Sequence, residues 1–262
     1  MNAPRAVSLP VIADYLDVTL NVAAIPDYPN ALNGVQVANA GPIERVATAV
    51  DFSTATVRET IAAGAKLLIV HHGMFWGGAQ PIIGHRYERL RALLANDVAV
   101  YSAHLPLDVH PRLGNNALLA RRLGLTPNAG FVKYQTIEVG LSGADEVPTR
   151  ALCDAAGELA REFGGTLVAT PFDPARMTRR WGICTGAGAD SASLREAASR
   201  GLDTLIVGEG PHHTAIEAAE LGIVVLYAGH YATETLGVRA LGEEVENHFG
   251  VSSAFIDVPS GL

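Results

Sequence analysis

The chain has 262 residues and is 48% hydrophobic, enough to build a full core in one large domain or two smaller ones. Its formal charge is 19 − 27 = −8, and without a basic cluster this argues against binding to a nucleic-acid backbone. Cys153 and Cys184 are too few for a disulfide framework and too far apart for a Cys-x-x-Cys metal site, no apolar run approaches a membrane span of about 18 residues, and the opening MNAPRAVSLPVIADYL carries no apolar leader, so a soluble, reduced, cytoplasmic chain without membrane attachment is expected.

The first predicted strand is 45-RVATAVD-51, apolar and β-branched. A helix follows over 53–65, with Ser53 or Thr54 as N-cap and Gly64 near its end. The run 66-KLLIV-70 predicts a strand buried on both faces, and it leads straight into His71–His72. An amphipathic helix over 85–97 and a strand over 98–104 complete this half. The second half repeats the alternation, with strands at 136–141, 181–186, 203–208 and 223–230 and helices at 149–164, 191–201 and 232–249. Turns are expected at 25-IPDYPN-30 and 170-TPFDP-174. This order predicts an α/β fold with a largely parallel sheet.

The halves resemble one another. The stretch 57-VRETIAAGAKLLIV-70 matches 194-LREAASRGLDTLIV-207 at a constant offset of 137, and 100-VYSAHLPLD-108 matches 226-LYAGHYATE-234 at an offset of 126. Two matches in one order predict two related, closely packed α/β lobes, 1–130 and 131–262, with 137 − 126 = 11 extra residues in the first lobe around 75-FWGGAQPIIGH-85.

Ligands of open α/β sheets bind beyond the carboxyl ends of the strands. His71, His72, His104, Glu209 and His230 are all expected at such ends, and Asp108 and Glu234 stand four residues after a strand-end histidine. If the chain turns into a helix there, residues i and i+4 approach to about 5–6 Å, and each pair can reach a shared site. Adjacent side chains on a regular strand point to opposite faces, so His71 and His72 suit two ions, one imidazole each, if the chain starts to turn. Imidazole with carboxylate suits Zn, Fe or Mn better than Ca or Mg. His212 and His213, in 208-GEGPHHT-214, either line the site or cap a helix starting near Thr214. His85, His110 and His248 read as solvated, Gly186-x-Gly188 as a tight strand-to-helix turn, and both cysteines as buried small residues.

The segments 32-LNGVQV-37, 70-VHHGMFW-76, 102-SAHLPLD-108 and 228-AGHYATE-234 together resemble the NIF-three-like dinuclear metal-centre family, known as GTP cyclohydrolase 1 type 2 homologues, from about Asp14 to the end. The resemblance implies two divalent ions held by His71, His72, Asp108, His230 and Glu234, with Glu234 shared and His104 close by. It also implies a homo-hexamer, a trimer of dimers with the sites facing an internal cavity. Such chemistry points to metal-assisted hydrolysis of a C–N bond in a small molecule, with Glu209 and His104 as catalytic candidates and His212 and His213 as substrate contacts. Glu209 has a second reading, as a carboxylate that orients a ligating histidine. The competing class is a non-enzymatic hexamer that uses its ions as a scaffold or carries them. The aromatic pair Phe75–Trp76 is expected to shield the ions, to sit at a subunit boundary or to pack in the core.

Overall fold

A computed structural model describes residues 6–262. The first five residues, part of the stretch expected to lack a leader, lie outside them. The chain forms two compact units, the first up to Leu107 together with Gly237–Val258, the second Asp108–Leu236 together with Pro259–Leu262.

The first unit begins with α1 (Leu9–Thr19), β1 (Gly34–Val37), β2 (Arg45–Asp51), α2 (Thr54–Ala62), β3 (Leu67–His72), α3 (His85–Ala95) and β4 (Ala99–Ser102). Of the two caps expected for α2, Ser53 is the one used. Its hydroxyl accepts from the Thr56 N–H and the Thr56 hydroxyl accepts from the Ser53 N–H, which satisfies two otherwise unpaired donors. Leu67, Leu68, Ile69 and Val70 are all 0% exposed, as the uninterrupted apolar run predicts. Burying each such side chain is worth about 1.5–3 kcal/mol, which pins β3 at the centre of its sheet.

The chain enters the second unit within the short helix α4 (Leu105–Asp108). It continues as α5 (Asn115–Arg122), β5 (Pro127–Tyr134), β6 (Ile137–Gly143), β7 (Val147–Pro148), α6 (Thr149–Glu162), β8 (Val168–Ala169), β9 (Met177–Thr178), β10 (Trp181–Cys184), α7 (Ser191–Ser199), β11 (Thr204–Val207), α8 (His212–Glu220) and β12 (Val224–Tyr227). It leaves within the long helix α9 (His230–Phe249) and ends in β13 (Ser252–Phe255).

The first sheet runs β1-β4-β3-β2-β13, with β4, β3, β2 and β13 parallel and β1 antiparallel at the edge. The second runs β5-β6-β10-β11-β12-β8, with β10, β11 and β12 parallel. The strands β3 and β11, which end at the matched Val70 and Val207, each lie in the middle of three consecutive parallel strands. The second sheet is less parallel than expected. The segment expected as a strand over 136–141 is one arm of an antiparallel hairpin, β5–β6, and β8 is an antiparallel edge strand. The other arm, β5, holds Pro127, Asn128 and Gly130, a composition that conceals a strand. The C-terminal β13 pairs with β2, so Gly237–Val258 belongs with the first unit.

Each unit has its own apolar centre. Ala47, Val57, Leu68, Val70, Leu93 and Val100 form one, and Phe131, Leu194, Leu205, Val207 and Val225 the other. Among the described residues no helix is long and apolar enough to cross a membrane.

Candidate metal centre

In the first unit β3 continues through both histidines. His71 is 0% exposed, and its Nδ1 lies 2.8 Å from the Ala103 carbonyl oxygen. A carbonyl only accepts, so that nitrogen carries the hydrogen and ligation falls to Nε2. His72 Nδ1 lies 2.8 Å from Asp51 Oδ1, and Asp51 is its register partner on β2. His104 Nδ1 lies 2.8 Å from Asp27 Oδ1. One ring nitrogen from each of His71, His72 and His104 falls within 4.8 Å of the others, a spacing that could hold a metal ion. His104, expected beside the site, is therefore as close as the two expected ligands.

A shell of polar groups fixes these rings. The Asp27 carboxylate also accepts from Asn33 Nδ2 at 2.8 Å and from the Leu105 N–H at 2.9 Å, and Asn33 Oδ1 accepts from the His104 N–H at 2.8 Å. Burial works to raise the Asp27 pKa, but these bonds and the charge of His104 outweigh it and hold it below the ordinary carboxylate value. Gln36 Oε1 accepts from the Met74 N–H at 2.8 Å, while its amide donates to the carbonyls of Ala31 and Leu32. A Cβ on Gly73 would overlap that amide, so a side chain after the double histidine would push Gln36 out of these bonds. Asn33 and Gln36 thus explain 32-LNGVQV-37: the segment positions the histidine-bearing loops. Trp76 packs edge-on against His104 and His72, with ring centroids 4.6 and 5.7 Å away.

In the second unit α9 begins at His230, and Glu234 follows one turn later. The expected i, i+4 approach is realised, with His230 Nε2 3.1 Å from Glu234 Oε2. On the other side of the ring Nδ1 lies 2.8 Å from Glu209 Oε1. Burial pushes the His230 pKa down, but the carboxylates of Glu234 and Glu209 prevail and raise it to about 9. Glu209 therefore stands where an orienting carboxylate stands. Asp108 and Glu234 are 6% and 3% exposed, and Asp108 Oδ1 accepts from Asn115 Nδ2 at 2.8 Å. Gly186 has φ +63°, and a Cβ there would overlap the Glu234 carboxylate, so this turn residue makes room for a candidate ligand. Burial first, then the Asp108 and Glu234 carboxylates, push the Cys184 thiol far up, which makes it a poor nucleophile.

The remaining histidines lie elsewhere. His212 and His213 open α8, exposed, three and four residues beyond Glu209. His85 is exposed at the start of α3. His110, expected to be solvated, instead accepts the N–H groups of Arg112 and Leu113 on Nδ1 in a turn, and His248 stacks on Tyr15 at 3.9 Å. Asp27, Asn33, Gln36 and Asp51 were not among the expected site residues. Of these Asp51 had a local signal, an acidic residue at the carboxyl end of a strand that neighbours the double histidine.

Nearly the whole described chain matches one family model. The model of Duf34/NIF3 (NGG1p interacting factor 3) covers residues 8–260. The chain belongs to the Duf34/NIF3 family. Its relatives include a Halobacterium salinarum protein named GTP cyclohydrolase 1 type 2 homolog, 44% identical over 91% of this chain and 94% of its own. A Deinococcus radiodurans protein of the same name is 38% identical over 95% and 92%. Among solved structures, the protein ybgI, described as of unknown function, is similar with TM-score 0.85 and 36% identity over 97% of this chain and all of its own. A Thermus thermophilus protein is similar with TM-score 0.81 and 33% identity over 97% and 99%. Reduced HcgD from Methanocaldococcus jannaschii, at 21% identity and TM-score 0.85, shares the NIF3 fold. The imidazoles of the first unit, and the imidazole and carboxylates of the second, are donors that fit borderline divalent ions such as Zn, Fe or Mn.

Proposed function

We propose that this NIF3 protein is a dinuclear metal-dependent hydrolase acting on a small molecule, a GTP cyclohydrolase type 2-like activity on a C–N bond. The proposed ligands are His71, His72, Asp108, His230 and Glu234, with Glu234 shared. One observation carries the reading: His71, His72, His104 and His230 each place Nδ1 2.8 Å from a carbonyl or carboxylate oxygen. Oxygen partners at Nδ1 prepare Nε2 for a metal, and histidines that merely fill a core do not need four such arrangements. The names of the close relatives support the reaction class.

Two divalent ions would supply Lewis acidity, polarising an electrophile and acidifying water. The chain's own groups do the rest. Asp51 and Glu209 hold the rings of His72 and His230 in place as positioning residues. His104, fixed by Asp27, and the edge of Trp76 bound the space beside the double histidine, and His212 and His213 are proposed to meet the substrate from the start of α8. Two free cysteines fit a reducing, cytoplasmic setting. The family resemblance supports a homo-hexamer.

Metal analysis of the purified protein tests the reading, with two ions per chain expected. Glu234→Ala should lose at least one of them. A variant that keeps both at full affinity refutes the shared carboxylate. If the loaded protein is no more active than the stripped protein in a broad hydrolase screen, the ions serve a scaffold or a carrier instead.

A further inference from the structure

A cavity of about 290 Å³ lies in the first unit between the loop that follows His72 and the helix α3. Its apolar wall includes Phe52, Met74 and Phe75, and Gln36, Arg86 and Arg89 add polar groups. The volume is at the small end of ligand pockets, room for a ring and one polar group.

The two arginines bring uncompensated charge to a largely apolar cavity. On the same helix Arg91 pairs with Glu88 at 2.9 Å. Among the described residues, no carboxylate pairs with Arg86 or Arg89. Arg89 lies over the Phe52 ring at 5.0 Å and donates to the Phe52 carbonyl at 3.1 Å, while its Nε is buried without a partner. Burial, and then the nearby charge of Arg86, push the Arg89 pKa down. Two guanidinium groups that line one cavity from neighbouring turns of α3 repel one another, and an anion relieves that repulsion. A planar guanidinium grips phosphate or carboxylate through paired N–H donors. The cavity also adjoins the candidate centre along the chain. Phe52 follows Asp51, which holds His72, and Met74 stands two residues after His72, its N–H held by Gln36.

We propose that this cavity binds small molecules that carry a planar ring and a phosphate or carboxylate, the ring against Phe52, Met74 and Phe75 and the anion on Arg86 and Arg89. It anchors the substrate beside His72. Only the word substrate rests on the hydrolase reading; the binding does not.

Titration calorimetry on the full-length protein as purified tests this with phenyl phosphate, benzoate and the neutral benzyl alcohol. At least one of the anionic probes should bind, benzyl alcohol should bind much more weakly, and Arg86→Gln and Arg89→Gln should each weaken the anion by about tenfold or more. Binding of one anion and not the other assigns the head group. Arg86→Gln removes one of two repelling charges and no internal pair, so its thermal stability should not fall, which guards the result against misfolding. The proposal is overturned if neither anion binds better than benzyl alcohol, or if both variants bind as the wild type does. Metal content measured on the same samples separates the two readings. Arginine-dependent binding in a protein without ions keeps the anion site and sinks the hydrolase.

Discussion

Replacing Asp27 by Asn should cost the protein about 2 kcal/mol at neutral pH. The side chain is 7% exposed, and its carboxylate accepts from His104 Nδ1, Asn33 Nδ2 and the N–H groups of Tyr28 and Leu105, at 2.7–2.9 Å. An amide has the same shape, but one of its two polar atoms donates. Turned toward Asn33 and Leu105, the amide NH2 orphans two donors; turned toward His104 and Tyr28, it leaves the exposed Tyr28 N–H to solvent and forces the His104 imidazole to accept on Nδ1, moving its hydrogen to Nε2. The second orientation is the cheaper one, and losing one buried charge-assisted bond costs about 1–3 kcal/mol, which gives the figure above. For a chain of this size that corresponds to a fall in melting temperature of roughly 4–8 °C. The pH dependence has a definite sign. The folded pKa of Asp27 is lowered, so its contribution is fully present above the unfolded value of about 4 and is lost as the pH falls through the folded pKa. Calorimetric melting of wild type and Asp27→Asn at pH 7, and at acid pH values where both remain folded, reads both effects. A variant within about 1 kcal/mol of wild type at pH 7, or a gap that does not narrow on acidification, would show that the carboxylate is not holding His104 as described.

Asp51→Asn disturbs only the orientation of His72, and should weaken metal affinity by about 10–100-fold with little loss of fold, read by competition with a chromophoric chelator. Cys184, with its thiol pushed far up by burial and two carboxylates, should resist alkylation by iodoacetamide at pH 8 in the folded protein and react once it is unfolded; fast labelling of the native chain would contradict its placement. Light scattering at micromolar concentration should report a particle of six chains, and a monomer would refute the proposed assembly.

Some of this molecule could be read along the chain. Four consecutive apolar residues ending in two histidines predict a buried strand with chemistry at its tip, because 67–70 can satisfy both faces only at the centre of a sheet. The His230–Glu234 contact was equally legible, because α9 has a clear helical pattern and residues four apart share a face. Both are local consequences of backbone period. Other features depend on which distant segments meet. Asp27, in a turn read only as a turn, holds His104 from 77 positions away, and β13 joins β2 across some two hundred residues, Ser252 beside Arg45. No periodicity records such pairings. They follow from closing long loops to bury apolar strands, and the polar groups carried along then find their partners. That is why the donors could be listed residue by residue, while the carboxylates and carbonyls that orient them, and the cavity that gathers two arginines without carboxylate partners, appear only once the chain is folded.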